Sequence, residues 1–275
     1  MLAGIFALSS VAVAGREVSA NLDTFELMFY RSVLGVPIVW SLAQWRQVAL
    51  STDRLALHLT RNSLHFAAQN LWFYALALIP LAQVFALEFT TPLWVILLAP
   101  FVLQEWLSRQ GLIAVVLGFL GILVIVRPGL EPLSLAHGAA LLSALGFAGT
   151  VLATKTLTAT EPSLRVLFYM TTMQAALGLC FALPGGMALP TVANGPWLLV
   201  LGLCGLGAHF CITQALSLAP AKLVSPLDFF RLPLIAVVGA FLYEEALELP
   251  VLLGGGLIIV GNLLNLRGAR NSKKV

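Results

Sequence analysis

The sequence predicts an all-α membrane protein of ten transmembrane helices, arranged as two inverted five-helix repeats around a central cavity. Three observations carry this prediction. Hydrophobic residues make up 60% of the 275 and charged residues only 10%, with a mean hydropathy of +0.97. A soluble domain has about a quarter of its residues charged, because its surface must face water. Apolar runs of about 20 residues, enough for a hydrocarbon core about 30 Å thick, recur along the whole chain. Finally, the second half of the chain repeats the first.

The runs fall at 2–20, 24–44, 56–78, 81–103, 109–126, 134–155, 163–183, 196–218, 222–242 and 249–266. The first, MLAGIFALSSVAVAG, has the length of a secretory signal but lacks a basic leading segment, so it is read as a retained helix. Connections between runs are short, which leaves no stretch for an enzymatic or nucleic-acid-binding module. Counting alternate loops places Arg46, Arg54, Arg109, Lys155, Arg165 and Lys222 on one side, together with Arg267, Arg270, Lys273 and Lys274 of the tail. Only Arg16 and Arg127 fall on the other side. By the positive-inside rule both termini are expected in the cytoplasm, in a multi-pass protein of the cytoplasmic (inner) membrane.

ALALIPLAQVFALEF, residues 75–89, aligns with ALSLAPAKLVSPLDF, residues 215–229, at a constant offset of 140. Ala75, Leu76, Leu78, Pro80, Val84, Leu87 and Phe89 meet identical residues, and Glu88 meets Asp228. Further on, Glu105 meets Glu245, Gly121 meets Gly261 and Arg127 meets Arg267. Pro92 falls beside Leu232, one short of Pro233. The units expected are residues 1–130, residues 131–267 and a basic tail at 268–275. Each unit holds five spans, an odd number, so the second must enter the membrane in the opposite sense. Such inverted repeats are typical of secondary transporters and place a site near the midplane between the halves.

Several segments also resemble the EamA-type drug/metabolite transporter family. They are FYRSVLGVPIVW, WFYALALIPLAQVFALEFTTPLWVILLAPFVLQE, GFLGILVIVRPG and a weaker second copy ending in FLYEE. The resemblance covers nearly the whole chain. It implies ten helices in two inverted halves around a central cavity. It also implies kinship with the YddG-type amino-acid exporters, with carriers of S-adenosylmethionine and riboflavin nearby. Export of small polar metabolites, above all amino acids, is the activity expected, with import of S-adenosylmethionine, riboflavin or a related metabolite as the alternative.

Ionisable residues within spans are costly, so they face a cavity or a partner. Glu88 and Asp228 are the two acids well inside spans. Arg231, three residues beyond Asp228 on the same helical face, is placed to neutralise it. Glu88 has no basic residue within a turn, so it either carries a proton or pairs across the bundle with Arg31, His65, His209 or Arg231. An unpaired Glu88 would suit a proton carrier. Arg31, beside Tyr30 in the second span, is suited to a substrate carboxylate or to a structural partnership with a buried acid.

On the third span Arg61, His65, Gln69 and Trp72 recur every three to four residues and form one stripe. Gly205, His209 and Thr213 form another on the eighth, and Ser143, Phe147, Thr150 and Thr154 a third on the sixth. Thr91 belongs with the proline-interrupted fourth span. Polar residues of this kind can simply bond between helices, each contributing about 0.6 kcal/mol. Their convergence from several helices instead points to a cavity. Pro80 and Pro220 open the fourth and ninth spans, where a missing N–H is harmless. Pro92 and Pro233 lie inside them and predict kinks.

An intramembrane enzyme is disfavoured, since no H-E-x-x-H occurs and the four histidines are scattered. A channel is disfavoured only by the repeat. No cofactor signature and no metal-ligand spacing are present, and Cys204 and Cys211 are about 10 Å apart along one helix, too far for a disulfide. The expected partners are a small-molecule substrate and the lipid bilayer, not nucleic acid. Ala114, Gly118, Gly121, Gly254, Gly255, Gly256 and Gly261 read as close helix packing, in a monomer or in a dimer through the tenth span.

Overall fold

A computed structural model describes residues 2–104, 109–127, 134–225, 228, 231–245 and 248–271. Glu105, Lys273 and Lys274, which the sequence reading used, lie outside the described residues. Twelve α-helices follow one another within the described residues, with no strand among them. They are α1 (Leu2–Val18), α2 (Thr24–Trp45), α3 (Leu55–Leu78), α4 (Leu81–Glu88), α5 (Thr91–Val102) and α6 (Arg109–Val126). After them come α7 (Leu135–Thr158), α8 (Ser163–Ala182), α9 (Asn194–Leu218), α10 (Ala221–Val224), α11 (Arg231–Tyr243) and α12 (Leu249–Asn271).

Five segments among the described residues are long and apolar enough to cross a membrane: Thr24–Trp45, Leu81–Val102, Leu135–Thr158, Ser163–Gly185 and Asn194–Leu218. Arg109–Ile125 and Leu249–Asn265 are shorter apolar helices. Helix α3 is equally long, but buried His58, Arg61, Asn62, His65 and Gln69 dilute its hydropathy. The burial pattern differs from that of a soluble protein in its apolar exterior and its buried ionisable groups. Arg31, Arg61, His65 and Arg231 are buried, whereas Phe101, Leu112, Leu120 and Phe241 are exposed. An apolar outer surface, with the ionisable side chains buried within a largely apolar core, is the pattern of a bundle whose solvent is lipid, so the chain is an integral membrane protein.

Local chemistry explains where helices start and stop. At α2, Asp23 Oδ1 accepts from the N–H groups of Phe25 and Glu26 at 2.8 Å, and Glu26 Oε2 accepts from Asp23 N at 2.9 Å. This reciprocal box satisfies donors that helix geometry leaves open. Helix α3 ends where Ile79 is extended ahead of Pro80 (φ −128°, ψ 160°), and α9 ends the same way at Ala219 ahead of Pro220 (φ −143°, ψ 158°). A residue before proline is pushed out of the helical region. Proline then caps α4 and α10 in turn.

The spans at 81–103 and 222–242, where internal prolines predict kinks, each hold two α-helices, α4 and α5 in the first and α10 and α11 in the second. In the first, Pro92 has no N–H to offer the Glu88 carbonyl. The Thr91 hydroxyl donates to that carbonyl instead at 2.7 Å, and the Thr90 hydroxyl donates to Leu87 O at 2.7 Å. The regular hydrogen-bond ladder can therefore be interrupted at Phe89–Thr90, which keep right-handed dihedrals (φ −67°, ψ 0° and φ −74°, ψ −13°), without stranding a carbonyl in an apolar interior. In the second span, α10 ends at Val224 and α11 begins at Arg231, and the described residues between them, Ser225 and Asp228, take the tighter 3-10 geometry.

Helices pack chiefly across the two halves of the chain: α1 on α9, α2 on α8 and α9, α3 and α5 on α7, α6 on α12 and, less extensively, α4 on α11. At the α6–α12 crossing a Cβ on Gly121 would lie 2.6 Å from Gly254 O, and one on Gly254 would lie 2.5 Å from Gly121 O. The two backbones are in direct contact, so any side chain must push the helices apart. Gly121→Ala is expected to destabilise the protein by about 1–3 kcal/mol, the usual range for overpacking. A lowered melting temperature in detergent checks this, with Gly256→Ala, where a Cβ meets open space, as the neutral control.

Candidate functional site

Three stripes set by helical spacing face a common space. Residues four apart on a helix stack on one face, and the face of α3 carrying Arg61, His65, Gln69 and Trp72 extends about 16 Å along the axis. Opposite it stand Gly205, His209 and Thr213 of α9, with Phe147, Thr150 and Thr154 of α7. Arg31 enters from α2, and Glu88, Thr91, Asp228 and Arg231 enter from the two broken spans. The cavity they enclose measures about 140 Å³. A void of this size holds a benzene-sized group, so a larger metabolite requires the helices to part.

Two expected residues lie elsewhere. Tyr30 does not line the cavity: its hydroxyl donates to Ala188 O at 2.7 Å, in the segment leading to α9. One residue along a helix turns the side chain about 100°, and with Arg31 facing inward this turn carries Tyr30 toward Ala188. Ser143 is buried, but its hydroxyl donates back to Ala140 O at 2.7 Å. Conversely, Arg61 was legible only as a member of a stripe, yet it lines the cavity. Gly4, Ile5, Leu8 and Val11 of α1 supply an apolar wall that the sequence reading missed. Their spacing of three to four residues was the available signal.

At one pole a single cation joins two acids. Arg231 Nη2 lies 2.6 Å from Glu88 Oε1 and 2.5 Å from Asp228 Oδ2. Trp72 Nε1 donates to the other Glu88 oxygen at 2.8 Å. The guanidinium is 2% exposed and sits over the Phe85 ring at 4.6 Å and the Phe89 ring at 5.7 Å. Glu88 thus finds its partner across the bundle, and Arg231 serves both Asp228 and Glu88. Desolvated ions survive when paired and hydrogen-bonded, and stacking on aromatic faces suits a planar guanidinium.

The other pole is basic. Arg61 donates through Nε to Thr154 Oγ1 at 3.1 Å and through Nη1 to Asn62 Oδ1 at 2.7 Å, both neutral acceptors. Arg31 Nη1, both ring nitrogens of His65 and Gln69 Oε1 are buried without a hydrogen-bond partner. The His65 and His209 rings meet edge to face with centroids 4.7 Å apart.

Polar contacts tie helices together at both ends of the bundle. At the end where α1 finishes, Arg16 pairs with Glu245 and stacks on the Tyr243 ring at 4.5 Å. Tyr243 donates to Glu17 Oε1 at 2.9 Å, and Leu81 N, opening α4, donates to Glu245 Oε2 at 2.8 Å. Arg127 pairs with Glu248, three residues beyond Glu245. At the other end His58 Nε2 lies 2.6 Å from Glu161 Oε2, Thr52 donates to Glu161, and Arg165 Nε donates to Ala49 O at 2.8 Å. Lys155 Nζ donates to Leu216 O at 2.8 Å and to Ala219 O at 3.0 Å. Among the described residues no group of three or more His, Cys, Asp and Glu is placed to hold a metal ion.

Comparison with known proteins agrees with this architecture. A riboflavin transporter of Brucella anthropi is 31% identical over 224 residues, covering 80% of this chain and 79% of the relative. An S-adenosylmethionine uptake transporter of Rickettsia prowazekii is 26% identical over 264 residues, covering 94% and 88%. A pseudopaline exporter of Pseudomonas aeruginosa is 27% identical over 256 residues, covering 93% and 90%. A solved crystal structure superposes with a TM-score of 0.76 over 98% of this chain and 96% of the other at 18% identity, a likeness of fold alone. The EamA-like transporter family model matches residues 1–127 and again residues 134–267, and the chain belongs to that family of membrane transporters.

Proposed function

We propose that this protein is a secondary transporter that exports a small polar metabolite, an amino acid in the favoured reading, by alternating access. The observation that carries the proposal is one cavity lined from both halves of the chain, in which Glu88 and Asp228, matched at the offset of 140, are joined by a single arginine. Ten spans in two inverted halves, 1–130 and 131–267 with a tail at 268–275, are part of the same reading. The offset of 140 supports it, since it pairs Pro80 with Pro220, Glu88 with Asp228, and Gln104 with Glu244. The last two both take a left-handed backbone (φ 56° and 52°) just past α5 and α11. Helices paired between halves support it as well.

In this reading the cavity opens alternately to each face as one set of helices rocks against the other. Arg54, Lys155 and Arg165 lie at the end of the bundle that would face the cytoplasm of an inner-membrane protein, with both termini there. Import is the second reading, favoured by the uptake carriers among the relatives. Reconstitution in liposomes with a panel of amino acids, riboflavin and S-adenosylmethionine separates the two. Movement of no amino acid would sink the favoured substrate class, and uptake of riboflavin or S-adenosylmethionine would establish the second. Proton coupling through Glu88 is an optional part of this reading, since Arg231 holds the carboxylate. Glu88→Gln keeps the shape and the Trp72 contact, so the fold should persist while any pH-gradient dependence disappears. Coupled transport that survives the substitution would remove that role.

A further inference from the structure

We infer that Arg31 and Arg61 form an anion-binding pole of the cavity that takes a carboxylate of the transported molecule. The inference rests on the transport reading of this same cavity and names the chemistry its substrate must carry. A guanidinium buried without a counter-charge is strongly unfavourable unless something supplies one. The described acids leave none for these two. Glu88 and Asp228 are held by Arg231, Glu245 by Arg16, Glu248 by Arg127, and Glu161 by His58 and Thr52. Glu17 accepts from Tyr243, Asp23 and Glu26 cap α2, and Asp53 and Glu244 are exposed.

The surroundings match this vacancy of charge. Arg31 Nη1 is buried and unpartnered, and it lies 3.9 Å from where a Cβ on Gly205 would sit, so α9 leaves it room. Arg61, 2% exposed, spends its bonds on Thr154 and Asn62, which bring no charge. The edge-to-face pair of His65 and His209 lines the same cavity, with both nitrogens of His65 unused. With Glu88 and Asp228 ionised, three guanidinium groups face two carboxylates, an excess of one positive charge. A monoanionic carboxylate balances it, and a guanidinium fork matches that group's geometry. A structural partnership of Arg31 with a buried acid has no acid to use among the described residues.

The test uses the full chain purified in detergent and matched probes: phenylalanine against phenylalaninamide, S-adenosylmethionine against its decarboxylated form, and riboflavin against riboflavin 5′-phosphate. Affinity is read from the concentration dependence of the melting temperature. At least one carboxylate probe is expected to bind about 10- to 100-fold tighter than its mate, the equivalent of one charge-assisted hydrogen-bonded contact. Arg31→Gln and Arg61→Gln should each erase the difference, Arg31→Lys should keep part of it, and the ligand-free melting temperature should not fall in Arg31→Gln. The pole is overturned if mates bind equally, if only the phosphate probe binds, if no carboxylate binds, if discrimination survives both substitutions, or if ligand-free Arg31→Gln is destabilised. Liposome flux then separates the two readings. Carboxylate binding without transport overturns the transporter reading and leaves the pole standing, whereas amides carried as fast as acids overturn the pole alone.

Discussion

Arg231→Gln is expected to destabilise the folded protein by about 3–5 kcal/mol, the range for removing one partner of a buried ion pair, and to abolish transport. The guanidinium is the one cation that touches both Glu88 and Asp228 among the described residues. Without it two carboxylates share an apolar enclosure with no counter-charge, and the Phe85 ring loses the cation stacked on it. Thermal unfolding in detergent checks the loss. The triple variant Arg231→Gln, Glu88→Gln, Asp228→Asn removes the orphaned charges together, and most of the stability should return. A triple variant as unstable as the single one would mean that packing of the long side chain, and not charge, is what matters. Transport should remain absent in both, if the acids belong to the carrier mechanism.

Glu245→Ala is expected to release the end of the bundle closed by α1, α4 and α11. Glu245 holds Arg16 through one oxygen and the N-terminal amide of α4 through the other. Hydrogen bonds to a charged group contribute about 1.5–3 kcal/mol each. Losing even one at that strength shifts a two-state equilibrium about tenfold or more toward opening at this end. A cysteine at Val11, which lines the cavity, reports the shift in a background lacking Cys180, Cys204 and Cys211. Its labelling by a membrane-impermeant thiol reagent from that side should speed up by about tenfold. Unchanged labelling would show that these contacts stabilise the helix ends without acting as a gate.

Several features could be read from local spacing because their causes are local. The stripe Arg61–His65–Gln69–Trp72 lies on one face simply because an α-helix turns every 3.6 residues. The ends of α3 and α9 follow from Pro80 and Pro220. The equivalence of Glu88 and Asp228 follows from alignment of the chain with itself. Other features were not legible for the same physical reason. Periodicity says which residues share a face but not how the helix is rotated, so Tyr30 and Arg31, adjacent in sequence, could not be sorted into lining and non-lining. The α1 wall of Gly4, Ile5, Leu8 and Val11 is apolar, and apolar residues face lipid and cavity alike.

The sequence by itself determined a lipid-soluble, all-α chain with a repeated half and a costly acid at the same place in each repeat. Hydrophobic content, helical period and self-similarity are one-dimensional properties, and they survive without knowledge of neighbours. Only the tertiary structure decided that Arg231 serves both acids, that Glu88 meets it from 143 residues away, and that Arg31 meets no acid among the described residues. Such pairings depend on which helices abut and in what rotation. That is set by packing across the bundle, at contacts like Gly121 against Gly254, and not by any pattern along one helix.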